Sequence, residues 1–196
     1  MTLEGLHRIF THIPTLETER LVLRRILPMD ASDMYEYSKN PSVTKHLLWE
    51  EHPAEEYTQN YIGFLQERYD LGDFYDWALI HKDQKKMIGS CGFTSIDLPN
   101  NSAEIGYVLH HDFWGNGYMT EAVSEVLHFG FHRLGLSRIS AVCMKENLAS
   151  LRVMEKCGLR REGLLRQAVQ AKGKQRDVFL AAITAEDYFA FNKAYI

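Results

Sequence analysis

Cysteine is scarce in this chain, three residues in 196. Cys91, Cys143 and Cys157 form no C-x-x-C pair. An odd, sparse set points to a reducing compartment rather than a disulfide framework, so a cytoplasmic location is expected. Positive charge is not in excess: 22 Lys+Arg against 26 Asp+Glu give a formal net charge of −4. That balance argues against direct nucleic-acid binding through a dominant basic patch. No apolar run is long enough for a membrane span, and the first residues lack the apolar core and cleavage site of a signal peptide. Repeats and low-complexity tracts are absent too. One domain over 1–196 is therefore expected, with 1–14 as an N-terminal extension. What is left is a globular composition, 45% hydrophobic and 24% charged, enough for a sizeable core.

The stretch from Ala103 to Ala122, AEIGYVLHHDFWGNGYMTEA, carries the most information. It reads as a strand over 103–109, a glycine turn at Trp114-Gly115-Asn116-Gly117-Tyr118, and the start of a helix. Alternation puts Glu104, Gly106 and Val108 on one strand face and Ile105, Tyr107 and Leu109 on the other. Two near-adjacent glycines let the backbone take positive φ and aim N–H groups inward. The following helix adds free N–H groups and the positive end of its dipole. The junction is an anion site or, on the plainer reading, a tight connection without a ligand. A P-loop requires Lys-Ser/Thr after the second glycine, where Tyr118-Met119-Thr120 stand. A dinucleotide fingerprint requires a third small residue at Thr120 and a later acidic one. A pyrophosphate held by backbone amides alone does fit.

The rest of the chain mixes strands and helices. Arg20–Ile26 alternates as a strand, and Pro28 and Asp30 lead into a helix over Ala31–Ser38. Pro53 opens a second helix through Glu67. Strands follow at Phe74–His81 and Lys86–Asp97. The helix after Gly117 turns Met119, Ala122, Val123, Val126 and Leu127 to one face, with Gly135 as its cap. Arg138–Met144 is a strand and Asn147–Lys156 a short helix ended by Gly158. Leu159–Ala171 and Gln175–Ile183 form a hairpin around Lys172-Gly173-Lys174, and Ala185–Tyr195 a terminal helix. The class is α+β, or mixed α/β, rather than a doubly wound parallel sheet.

The strand AEIGYVL, the turn WGNGY and the helix start MTEA resemble the RimJ/RimL branch of the GNAT acetyltransferases. The resemblance extends to Thr18–Arg24 and Met87–Phe93 upstream. Downstream it takes in Asn147–Ser150, Met154–Leu159 and Glu162-Gly163, six motifs in order from about Leu16 to Thr184. Asp112 stands where the wider superfamily has Gln or Arg. The resemblance implies a GNAT fold: a central, mostly antiparallel sheet of six to seven strands, splayed at the cofactor site and flanked by helices.

It also implies an acetyl-CoA-dependent N-acetyltransferase that moves acetyl directly to a primary amine, with no covalent intermediate and no metal. The acceptor is a protein N-terminal α-amine, as for ribosomal proteins, or a small-molecule amine; a non-catalytic CoA-binding protein is the competing class. Trp114, Gly115, Asn116, Gly117, Tyr118, Met119 and Thr120 would hold the pyrophosphate. The backbone of Val108, Leu109 and His110 would pair with the pantetheine arm, an N–H near Leu109 polarising the thioester. Asn147 and Ser150 suit helix capping by themselves. The resemblance adds contact with the cofactor arm for Asn147, and for Ser150 both cofactor contact and proton donation to the thiolate. Glu104 is the candidate base; a paired strand carboxylate is the plainer alternative. RimL proteins place their base in the segment here written Leu164–Gln170, which offers Gln167, Val169 and Gln170 and no carboxylate. Trp49–Tyr61 falls where these proteins wall the acceptor. His128 and His132 read as solvent-facing rather than zinc ligands. His110 and His111 read as strand-end surface residues, and Cys143 and Cys157 as small buried ones. Some members of the branch are homodimers, which the sequence leaves open.

Overall fold

The computed structural model describes residues 1–193. Eight strands form one sheet: β1 (Leu16–Glu17), β2 (Leu21–Arg24), β3 (Tyr75–His81), β4 (Lys86–Asp97), β5 (Ser102–Leu109), β6 (Arg138–Met144), β7 (Arg160–Ala171) and β8 (Lys174–Thr184). Their order is β1-β2-β3-β4-β5-β6-β8-β7. Every neighbouring pair is antiparallel except β5–β6, which is parallel. The count exceeds the expected six to seven; β1, a two-residue edge piece on β2, is too short to register in a pattern of alternation.

Seven helices accompany the sheet: α1 (Leu3–Thr11), α2 (Ala31–Ser38), α3 (Pro41–Thr44), α4 (Glu55–Leu71), α5 (Tyr118–His132), α6 (Leu148–Lys156) and α7 (Ala185–Lys193). Ala194 and Tyr195, read as the end of the last helix, lie outside the described residues. α4 runs one turn past the expected Glu67, because Leu65 and Tyr69 carry its buried stripe onward. Gly72 then stops it at φ 71°, its N–H returning to the Arg68 and Tyr69 carbonyls. α5 ends at His132 with Arg133 as its cap, two residues before Gly135.

The sheet separates two helical layers. α2 and α4 cover one face and α5 and α6 the other; α1 packs against α4 and, through Phe10, against Phe129 of α5. α1 brings Phe10, fully buried, edge-on to Trp77 of β3 and to Phe129 of α5, at centroid distances of 5.8 and 6.2 Å. The expected N-terminal extension is therefore a helix that caps the core.

One feature of the sheet prepares the site. β5 and β6 pair only at Ser102–Arg138, Ala103–Ile139 and Glu104–Ser140. Beyond Glu104 they part, while β5 stays paired with β4 as far as Leu109. A parallel pair parting in this way opens a slot through the sheet with unpaired backbone on its walls.

Candidate active site

A cavity of about 700 Å³ fills this slot. Its walls are Ile105–Leu109 on one side and Val142 and Cys143 on the other. The glycine turn and the first turn of α6 border it on the α5–α6 face. Ser42–Leu47, which follow α2, border it on the opposite face. The cavity thus runs from one helical layer to the other.

The turn has the conformation its sequence requires. Gly115 and Gly117 sit at φ 77° and 82°, and Gly117 is the N-cap of α5. The free N–H groups of the first helical turn stand at the cavity edge. The turn is braced by residues a hundred positions away. Arg20 Nη1 donates to the Asn116 carbonyl at 2.9 Å, and its guanidinium lies over the Tyr118 ring at 4.3 Å. Glu121 accepts from Arg20 Nε at 2.7 Å, from the Arg20 backbone N–H at 2.8 Å, and from the Thr18 hydroxyl. Burial would raise the Glu121 carboxyl, but these bonds hold it below its ordinary value. Tyr118 points away from the cavity mouth, its hydroxyl 2.8 Å from His81 Nε2. Met119 is buried.

Among the expected cofactor residues, Val108, Leu109, Trp114, Gly115, Gly117, Tyr118, Met119, Thr120, Asn147 and Ser150 line the cavity. Asn116 does not; its side chain returns to the Trp114 carbonyl at 3.0 Å. His110 also departs from expectation. Its N–H donates to the Ile88 carbonyl at 2.7 Å, so it is spent on β4 and not free for a pantetheine arm. Its ring is buried rather than surface-exposed and accepts from the Asp112 N–H at 3.1 Å. With His110 bonded to β4, alternation turns the N–H of Leu109 toward the slot. The Leu109 carbonyl is taken by the Trp114 indole at 2.8 Å.

Asn147 caps α6, its side chain accepting from the Ser150 N–H at 3.1 Å. That leaves its amide NH₂ unused by the cap. Ser150 Oγ lies 2.8 Å from the Tyr107 hydroxyl, which also donates to the Ser150 carbonyl at 3.1 Å. Tyr107 carries no mark of a site residue in the sequence: alternation puts it on the right face of β5, but its partner Ser150 lies 43 residues away. Burial pushes the Tyr107 phenol upward and the nearby Cys143 thiol up to about 11, so both are protonated at neutral pH.

Glu104 stands at the fork, the last β5 residue paired with β6. It shares the α2–α4 face with Gly106 and Val108, does not line the cavity, and accepts from the Thr94 hydroxyl at 3.2 Å. On the same face, Asp76, Gly92 and Gly106 form one row across β3, β4 and β5. Burial pushes the Asp76 carboxyl up to about 7, against the opposing pull of hydrogen bonds from Ser90 and the Trp77 N–H. Trp49, Tyr57 and Tyr61 gather around His52 instead of lining the cavity; on that face its lining is Ser42, Val43, Lys45, His46 and Leu47. His128 and His132 are exposed, as expected. Among the described residues no three His, Cys, Asp or Glu cluster to hold a metal, and no helix is long and apolar enough to cross a membrane.

A slot between parted parallel strands, with a glycine turn at a helix N-terminus on its rim, defines an acyl-coenzyme A-dependent transferase. The comparisons agree. The model of the acetyltransferase (GNAT) domain matches residues 20–160, and the chain belongs to this family. It is an acetyl-CoA-dependent N-acetyltransferase, and relatives span nearly its whole length. An uncharacterized N-acetyltransferase p20 from Bacillus licheniformis is 34% identical, covering 89% of this chain and 98% of its own. The [ribosomal protein uS5]-alanine N-acetyltransferase of Escherichia coli K12 is 25% identical, covering 88% and 92%. The crystal structure of a GNAT-family acetyltransferase from Bacillus anthracis superposes with a TM-score of 0.78 at 29% identity, covering 88% and 99%.

Proposed function

We propose that this chain, acting as one domain, transfers acetyl directly from acetyl-CoA to the primary amine of a compact acceptor. The observation that carries the reading is the cavity through the sheet, with the glycine turn at its rim and the parted β5 backbone on its wall. Glu104, at the fork and outside the cavity lining, is the carboxylate that stands next to it on β5. Amides of Gly115–Thr120 hold the pyrophosphate, and the Asn147 amide reaches the pantetheine arm. The Leu109 N–H polarises the thioester carbonyl, a role worth about 3 kcal/mol of transition-state stabilisation. Glu104 takes the proton of the acceptor ammonium, directly or through water. The carbon–nitrogen bond then forms as the carbon–sulfur bond breaks, and the proton that the nitrogen sheds on acylation ends on the departing sulfur, so that coenzyme A leaves as the thiol. Ser150, oriented by Tyr107, gives the departing thiolate a hydrogen bond.

The acceptor end favours a compact molecule. Lys172, at the tip of the β7–β8 hairpin, pairs with Glu50 and Glu51, three and four residues past the cavity-lining Leu47, at 3.5 Å each. A strap beside the cavity at this point would hinder a long peptide. A second reading, the α-amine of a protein N-terminus, is favoured by the uS5-alanine relative. Exposed pairs of this length open at a cost of about 1 kcal/mol or less, so the strap can part.

The test is the pH dependence of Glu104→Gln. A base is needed while the amine is bound as ammonium and not once it is free. The variant should lose about 100-fold in turnover at neutral pH and progressively less toward high pH. An equal loss at every pH would remove Glu104 as the base.

A further inference from the structure

Among the described residues, Arg176 Nε is a buried side-chain nitrogen without a hydrogen-bond partner. No carboxylate of those residues forms an ion pair with this guanidinium. A half-buried arginine left in this state keeps the desolvation penalty without the pairing that normally offsets it.

Its position gives the vacancy a use. Along β8, Phe179 pairs with Cys143 and Val178 with Met144. Cys143 faces Ser150 on the α6 side. Val178 and Arg176 therefore lie on the opposite face, which is that of Glu104 and of Ser42–Leu47. The Lys145 N–H donates to the Asp177 carbonyl at 3.1 Å, one residue beyond the last β6–β8 pair, and Glu146 follows in the turn. Glu146 and His46 both line the cavity. Burial is the first cause that holds the His46 imidazole below its ordinary value; Lys45 and Arg176 add to it and Glu146 opposes. Arg176 itself does not line the cavity; it stands behind His46 and Glu146, which do, and within electrostatic reach of His46. Other carboxylates nearby are engaged: Asp177 by Lys145 at 2.7 Å and the Gln167 N–H at 3.0 Å, and Glu50 and Glu51 by Lys172.

We propose that Arg176 reads a carboxylate carried by the acceptor close to its amine. The inference rests on the cavity being the acetyl-transfer site. The two Nη groups of a guanidinium also form a fork that matches one carboxylate, and it is this edge, not the buried Nε, that an acceptor would meet. Lys45 and Arg176, offset by Glu146, leave about one positive charge there, which suits a monoanion. The carboxylate comes from one of two sources: the α-carboxylate of a free amino acid, or an acidic side chain following the N-terminal residue of a peptide.

Initial rates with acetyl-CoA decide the matter on two acceptor pairs. One is a free amino acid and its carboxamide. The other is a short peptide with Glu second and the same peptide with Gln. The carboxylate member of one pair should be favoured by about 30-fold in kcat/KM, mostly through KM. That pair identifies the source. Arg176→Gln should bring the ratio close to one, and Arg176→Lys should retain part of it. Should the Gln variant fail to fold, the wild-type ratios and the Lys variant carry the test. Turnover with both wild-type ratios near one overturns the role of Arg176 and leaves acetyl transfer standing. A ratio unchanged in Arg176→Gln does the same. No turnover with any amine overturns the function reading, and this inference with it.

Discussion

Asp76 lies in β3 within the field of Tyr37 and Tyr61, and the Tyr61 phenol is itself pushed up to about 12, by burial first and then by Asp76. The folded state holds the Asp76 proton up to about pH 7, well above the ordinary value of 3.8. A carboxyl raised on folding costs stability as it ionises. That cost is absent below the ordinary value, grows as pH rises to about 7, and is constant above. Asp76→Asn keeps the shape and removes the ionisation. Its melting temperature should therefore gain on wild type between about pH 5 and about pH 8; a difference constant across that range would contradict the assignment. The sequence could not reveal this residue. Its burial depends on Gly92 opposite and on α2 and α4 above the sheet, none of which is local. The strand position of Glu104 was legible because alternation along 103–109 is strong; its role as base stays the proposal that Glu104→Gln tests. Arg176 was not legible, because only the lack of a partner distinguishes it from other strand arginines.

Among the elements, the best-read were those bounded by turn chemistry. The hairpin of β7 and β8 turns on Lys172 and Gly173 alone, at φ 51° and 71°, the two-residue type I′ geometry that a Lys-Gly-Lys cluster announces. The register shift between Leu165 and Val169, with Gln167 at φ 51°, left no comparable mark. α1 is the converse case. Thr2 caps it, with its side chain accepting from the Gly5 N–H at 3.1 Å, yet only Leu6 and Phe10 are buried along it. Leu3, Leu6, Ile9 and Phe10 do stand at helical spacing, but nine residues are a shorter window than a helical period needs to be read from sequence alone. Its packing is nonetheless substantial, because Phe10 contacts the rings of Tyr75, Trp77 and Phe129. Phe10→Ala should cost about 3–5 kcal/mol in urea unfolding. A loss below about 1 kcal/mol would mean that α1 is detached in solution.

For the whole molecule, binding in the slot joins parts of the chain that the sheet leaves apart. On the proposed site, acetyl-CoA would contact the turn before α5, β5 and α6 together, so it should stabilise the fold as a unit. At a hundredfold excess over Kd the gain is about 2.7 kcal/mol, or about 5–10 °C in melting temperature for a chain of this size. Gly117→Glu should abolish the shift by placing a carboxylate and a Cβ at a φ of 82° beside the pyrophosphate site. A full shift in that variant would remove the turn from the site. The three-rung junction of β5 and β6 also has a bearing on synthesis. From β1 to β5 every strand pairs with the one made just before it, so the nascent chain can zip five strands in order of emergence. The far wall of the slot is β6 and its cap is α6, both made later. A ribosome-bound chain that has not yet reached Arg138 can hold half a sheet but has no place for the cofactor. Affinity for coenzyme A is in this sense a mark of the finished polypeptide, acquired late and all at once.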